Sequence, residues 1–440
     1  MNREKTFSNL YTTIHLDNTS DYDSAIKNIT KKLNESYYSD TIDNFDKEID
    51  HCYVVGSIGR GTAIKQVSDV DMLFVLPKEV FERFDQYVNN GQSTLLQDVK
   101  GYLVERYPRT EIKGDGQAVV ISFDKFSIDL VPAFSELDGS FKYADSNNGG
   151  FWKNTNPLPE QKESKNINIE TNNNFIVLSN FTRLWKNNTG FVFGGLLIDT
   201  LVHSFFKINP QFYSYGFSDF HEIIIAFLEF LSKKNEDSKY YALGSFQEIT
   251  DKGKGAFIKE SANYLKSFAE ADNDELKIET VYQAMFGNYF ATSLTSGYRN
   301  LVLQDAQRQF NFVNNEQFIE NFFPVNIKYT LRIDCNVTVD GFRPKLLSHC
   351  LWLPIKRKLE FFIQECNVPK PYNIYWKIRN TGIEAYKKNM LRGEIIEGSS
   401  TRIERTSFNG DHYVECYIVK NGVCVARNRI PVRINSQYID

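Results

Sequence analysis

The stretch from Tyr53 to Leu76, YVVGSIGRGTAIKQVSDVDMLFVL, constrains this chain more than any other. It reads as an apolar strand, a Gly-Ser turn, a short helical opening and a second apolar strand. Gly56, Gly59 and Gly61 let the backbone approach a ligand closely, and Ser57 and Thr62 add hydroxyls. A turn of this kind entering a helix leaves several N–H groups for phosphate oxygens. Asp69 and Asp71 lie two apart, so on a strand both carboxylates leave the same face. The run Met72 to Leu76 is wholly apolar, as in a buried central strand.

Two carboxylates side by side on a buried strand repel each other. A shared divalent cation relieves that repulsion, and hard oxygen ligands suit Mg²⁺. A two-metal clamp on a phosphoryl displacement needs a third acid. The best candidate is Asp129, in FDKFSIDLVPAF, where Phe126, Ile128 and Leu130 line one face and Ser127 and Asp129 the other. An acid in mid-strand among core residues needs a partner.

Gly56-Ser57, Asp69-Val70-Asp71 and Asp129, in this order and on these elements, resemble the nucleotidyltransferase superfamily of the DNA polymerase β type. The Gly-Ser turn alone is a common strand-to-helix connection, and many Asp-x-Asp pairs are solvated turns. The ordered set is far more specific than either piece.

The rest of the chain fits two or three domains with sizeable cores, at 440 residues, 42% apolar and 14% aromatic. A net charge of −4 with interspersed signs gives no broad basic surface for duplex nucleic acid. The polar start MNREKTFSNL lacks a signal-peptide core, and the apolar run Ile223 to Leu231 is too short to span a bilayer. Six cysteines show no C-x₂-C spacing and do not cluster with the six histidines, which argues against structural zinc. A cytoplasmic protein with reduced thiols is expected.

In chain order, an amphipathic helix is expected within residues 20–50, helical pattern from Val80 to Tyr107, then strands near Glu111–Ile112, Ala118–Phe123 and Phe126–Val131, with Asp124-Lys125 at the hairpin turn. Residues 135–174, rich in Asn, Ser, Gly and Pro, read as a loop bridging two lobes. Phe151-Trp152 within it reads as a plug between lobes rather than a base-stacking pair. Helices dominate from Asn174 to about Phe310, among them NFIVLSNFTRLWKNN and Gly194–Phe206. Asp199 and His203 in the latter are spaced for a metal or acid–base pair, although core hydrogen bonding is the commoner use. Asp251 to Gly255, DKGKG, lacks a preceding strand and P-loop spacing and reads as a turn. Beyond Pro324 short alternating strands begin, with Asn421-Gly422 as a hairpin signal and Leu346–Phe362 as a helix or extended apolar stretch. The expected fold class is α+β: a polymerase β-type head over 1–140, a helical lobe over 141–315 and a β-sandwich-like module over 316–440.

That order is similar to the bacterial cGAS/DncV-like nucleotidyltransferases, which make cyclic di- or trinucleotide second messengers in anti-phage defence. The final module, with GFRP at 341–344, YWKIRNTGIEA at 375–385, LRGEI at 391–395 and HYVECYIVKNGVCVARNR at 412–429, resembles the adenylyl/guanylyl cyclase and SMODS C-terminal sensor domain. The resemblance implies that Asp69, Asp71 and Asp129 bind two Mg²⁺ ions, with Mn²⁺ able to substitute. It implies that Gly56 and Ser57 hold the donor triphosphate, and that ATP and other NTPs are substrates. In the lobe the family commonly has a Lys before an aromatic and Trp, where this chain has Arg183-Leu184-Trp185; Arg183 is the nearer phosphate contact and Lys186 the second. It further implies a product read by a separate effector and a nucleotide or other small-molecule ligand on the C-terminal module, for which Tyr375, Trp376, Arg379 and Arg427 are candidates; sandwich core and solvated rim are equally open for them. No membrane association and no long nucleic-acid substrate are expected. Two other functions remain open: nucleotidyl transfer to RNA, protein or a small molecule, and a non-catalytic nucleotide sensor, which the full set of acids disfavours.

Overall fold

A computed structural model describes residues 1–17, 19–39, 44–65, 69–123, 126–290, 316–338, 344–381, 384–385, 388 and 390–435. At its N-terminal end a mixed sheet runs in the order Cys52–Val54, Asp69–Val75, Ser127–Ser135, Ala118–Ser122, Glu111–Asp115. Strands Asp69–Val75 and Ser127–Ser135 are parallel, with Asp71 opposite Asp129 and Asp69 opposite Ser127. Val70, Met72, Phe74, Ile128 and Leu130 point to one face, where they pack under Ile29 and Leu33 of helix Ser20–Tyr37 and Leu95, Val99 and Leu103 of helix Gly91–Arg106. The two-residue period of a strand then commits Asp69, Asp71 and Asp129 to the opposite face. Burying one face thus positions all three acids.

Residues 135–174 are not a loop. Strands Phe141–Asp145 and Phe151–Thr155 extend the same sheet, and helix Pro157–Glu170 follows with proline in its first turn. That helix buries Pro157, Glu160, Ser164 and Ile167, a helical spacing carried partly by polar residues, so it leaves no apolar stripe to read. Trp152 packs on Phe81 and Phe134 within the head and donates its indole N–H to Asp85, while Phe151 is exposed beside Lys153. The pair does not plug the gap between lobes.

Helices Asn174–Thr189, Gly195–Ile208, Phe220–Ser232, Ala256–Glu270 and Glu275–Phe286 form the lobe. The N-terminal segment is helix Arg3–Ile14, and it sends Phe7, Leu10 and Ile14 into the lobe's core. Asp251 closes the expected turn by accepting the N–H groups of Gly253 and Gly255. The helical stretch expected to about Phe310 ends as a helix at Phe286, followed by a 3₁₀ turn at Gly287–Tyr289, and its remainder from residue 291 lies outside the described residues.

The C-terminal module is a sandwich of two four-stranded sheets, one centred on Leu331–Thr338 and Lys358–Cys366, the other on Asn373–Arg379, Gly410–Lys420 and Val423–Ile434. Their inner faces share one core containing Leu331, Phe361, Trp376, Ile418 and Val432. Asn421 and Gly422 both take positive φ at the expected hairpin. Within Leu346–Phe362 a short 3₁₀ turn and the start of strand Lys358–Cys366 replace any helix. Residues 124–125, 341–343 and 382–383 lie outside the described set. None of the six cysteines, all of them described, forms a disulfide. Among the described residues no helix is long and apolar enough to cross a membrane.

Candidate active site

The three acids stand on adjacent strands of one sheet face. Burial, and then the neighbouring charge of Asp69, push the Asp71 carboxyl up to about 6, against the opposing pull of Lys328 and Arg60. Gly56 sits directly against Asp71 at φ +64°, and a Cβ there would collide with the carboxylate. Both the left-handed backbone and the close approach therefore require glycine at this turn. The turn continues as the one-turn helix Gly56–Gly59, and Thr62 donates its N–H back to the Ser57 carbonyl at 2.9 Å.

Helices Pro157–Glu170 and Asn174–Thr189 hold this turn. Gln161 donates to the Val54 carbonyl at 2.9 Å, Ser164 to the Arg60 carbonyl at 2.6 Å, and Asn180 to the Thr62 carbonyl at 2.9 Å. Asp199 is the centre of the attachment. It accepts Arg60 Nε at 2.8 Å, the Thr62 hydroxyl at 2.8 Å, and Arg183 through Nη1 at 2.7 Å and Nη2 at 2.8 Å. Burial alone would raise the Asp199 carboxyl, but Arg183 and Arg60 hold it below the usual carboxylate range. His203 instead pairs with Glu163 at 2.8 Å, so Asp199 and His203 do not form the i, i+4 pair their spacing suggested. Arg183 borders the cleft with its guanidinium committed to Asp199 and the Gly195 carbonyl. Lys186, deeply buried, has its ammonium brought down to about 7 by burial and then by Arg183, and donates to the Ile327 carbonyl at 3.3 Å.

The C-terminal module supplies the remaining wall. Asn326 donates to Asp69 Oδ1 at 2.6 Å, and Lys328 Nζ reaches Asp69 Oδ2 at 2.8 Å. Burial opposes the Lys328 charge, yet Asp69, then Asp129 and Asp71, hold the ammonium well above the ordinary lysine range. Nothing in the sequence signals this contact, since no local motif ties residue 328 to residue 69. A cleft of about 840 Å³ opens among these parts, bordered by Gly56, Ser57, Asp69, Asp71, Lys186 and Lys328 among others. Asp129 is not among the bordering residues; it stands opposite Asp71 on the neighbouring parallel strand. Among the described residues no three His, Cys, Asp or Glu side chains close around one point that could hold a metal ion.

The four residues considered for a ligand on the C-terminal module do not converge. Trp376 is in the sandwich core with its indole N–H on the Ser399 carbonyl, and Tyr375 reaches Glu397 at 3.5 Å. Arg379 pairs with Glu316, and Arg427 with Glu320 at 2.8 Å and Glu415 at 3.0 Å. These are internal ion pairs and core packing. A separate cavity of about 240 Å³ lies elsewhere in the module, bordered by Phe361, Met390, Arg392, Glu404 and His412 among others.

Two family models match the chain. Residues 1–168 match the Second Messenger Oligonucleotide or Dinucleotide Synthetase domain, and residues 313–435 match the Adenylyl/Guanylyl and SMODS C-terminal sensor domain. No curated protein matches by sequence. The fold is similar to CdnC from E. coli MS115-1, solved in a complex with HORMA-deltaN, at 17% identity and TM-score 0.51 over 66% of this chain and 98% of that one. Vibrio cholerae DncV, a cyclic AMP-GMP synthase and prokaryotic cGAS homolog, aligns at 12% identity and TM-score 0.48 over 66% and 98%. The chain therefore carries a Second Messenger Oligonucleotide or Dinucleotide Synthetase domain, followed by the Adenylyl/Guanylyl and SMODS C-terminal sensor domain.

Proposed function

We propose that this enzyme joins NTPs, ATP among them, into a cyclic di- or trinucleotide second messenger in bacterial anti-phage defence, working in the cytoplasm. The reading takes the chain as a catalytic head, a lobe closing the cleft and a sensor module. The observation that carries it is the parallel register of Asp71 with Asp129, beside Asp69 on the same face.

The donor set suits a hard divalent cation: all ligands are carboxylate oxygens, and Asp71 is poorly stabilised as an anion until positive charge shares it. Asp69, Asp71 and Asp129 would hold two Mg²⁺ ions, or Mn²⁺ in their place, which supply Lewis-acid activation of a ribose hydroxyl and charge neutralisation at departing pyrophosphate. Gly56 and Ser57 would cradle the donor triphosphate. Lys186 is the better placed phosphate contact, because Arg183 is held by Asp199. In-line attack on the α-phosphate then depends on the rigid attachment of the turn to the lobe through Asp199. The small cavity in the C-terminal module is the place we propose for a nucleotide or other small-molecule signal, and a separate effector would read the product.

Purified protein incubated with labelled NTPs and Mg²⁺, then phosphatase, should yield a resistant product that the Asp69→Ala/Asp71→Ala variant does not make. Label moving onto added RNA or protein, with no resistant species, would replace this reading by simple nucleotidyl transfer.

A further inference from the structure

Residues 324–328 run alongside the first residues of Val423–Ile434, with Val325 in a parallel bridge to Cys424. The Pro324 carbonyl accepts the Cys424 N–H at 2.8 Å, Asn326 N–H donates to the Cys424 carbonyl at 2.9 Å, and Lys328 N–H to the Val425 carbonyl at 3.0 Å. Val325 and Ile327 are buried in a cluster with Tyr417, Val419 and Cys424. On the other side Asn187 Nδ2 donates to the Val325 carbonyl at 3.2 Å and Lys186 to the Ile327 carbonyl. The backbone is therefore clamped between the module's sheet and helix Asn174–Thr189. Strand alternation sends residues 325 and 327 into the module and residues 326 and 328 into the cleft. Both oxygens of Asp69 are engaged by those two side chains, at 2.6 and 2.8 Å.

We propose that Lys328, with Asn326, is a built-in occupant of Asp69 that competes with divalent cation, so that the C-terminal module governs metal loading of the catalytic head. This rests on the reading of Asp69 and Asp71 as metal ligands. An ammonium group and a divalent cation draw on the same carboxylate and repel each other at contact distance. Binding of one weakens the other, and the linkage is reciprocal: whatever draws residues 324–328 away with Val423–Ile434 raises cation affinity, and cation binding loosens Lys328. Lys328 is half-exposed, so the side chain has solvent into which it can move.

Mn²⁺ binding to the full-length protein without nucleotide, read from the spin-resonance signal of the free ion, tests this apart from activity. Lys328→Gln should bind Mn²⁺ on the order of tenfold more tightly than the unaltered protein, and Asn326→Ala/Lys328→Gln more tightly still. Lys328→Arg, which keeps the charge, should stay near the original affinity, and Asp71→Asn should lose binding in every background. Equal or weaker binding by Lys328→Gln, with binding still lost in Asp71→Asn, overturns the competition and leaves the metal site standing. Mn²⁺ binding that ignores Asp71→Asn overturns the metal site itself and this proposal with it. Melting curves of each variant confirm that the protein measured is folded.

Discussion

Two clusters of buried charge in this molecule obey opposite rules. In the C-terminal module, Glu316, Glu320 and Glu415 interlock with Lys377, Arg379 and Arg427, cation against anion. Burial alone would raise the Glu415 carboxyl, yet Arg427 and Lys377 bring it down to about 2. On the head's sheet face, Asp69, Asp71 and Asp129 stand on neighbouring strands, and Asp71 is pushed the other way, to about 6, by burial and then by Asp69. A cluster balanced in charge stabilises the fold that holds it. A cluster with negative charge in excess is a cost to the fold, and its use lies in what it can bind.

Four experiments press on that contrast. The largest effect should come from Asp71→Asn, which is expected to lower turnover on the order of 10³-fold or more while leaving the metal-free protein at least as stable. A matching loss of stability would erase the distinction between the clusters. Asp199→Ala should cost about 3–5 kcal/mol in chemical denaturation, because it strands Arg60 and Arg183 without their shared carboxylate. Glu415→Gln should cost about 3 kcal/mol, by the same logic applied to Arg427 and Lys377.

The pH dependence should separate the clusters by sign. Glu415, depressed in the folded state, contributes stability above about pH 4.5 that disappears as the pH falls towards 2. Asp71, raised in the folded state, behaves in reverse: its contribution is complete below about pH 3.8 and is lost as the pH rises through about 6. Metal-free protein should therefore gain up to about 3 kcal/mol on acidification from pH 7 to pH 4 through this group, and Asp71→Asn should flatten that slope. A slope unchanged in Asp71→Asn would assign it to other groups.

How much of this was legible in the sequence varied with the source of the information. The strand bearing Asp69 and Asp71 and the strand bearing Asp129 announced themselves, because each pairs a two-residue period with an unbroken apolar face. The Asn421-Gly422 hairpin did so through backbone chemistry that few other residue pairs supply. Helix Pro157–Glu170 did not, since its inward residues include Glu160 and Ser164, whose burial makes sense only once Arg60, Ser245 and the Arg60 carbonyl stand opposite. Arg183 looked free to meet a phosphate for the same reason: its partner Asp199 sits on another helix.

The sequence by itself determined the strands that bear the acids, the face on which the acids emerge and the glycine at the turn, because these depend on local periodicity and backbone freedom. The tertiary structure alone decided which charges meet. Asp69 and Lys328 lie on different modules, and the distance between their side chains depends on how strand Val423–Ile434 is seated on helix Asn174–Thr189. Gly190, at φ +87°, comes so near the Arg427 carbonyl that a Cβ would collide with it. Coulomb energies depend on such separations in space, and separation along the chain carries no information about them.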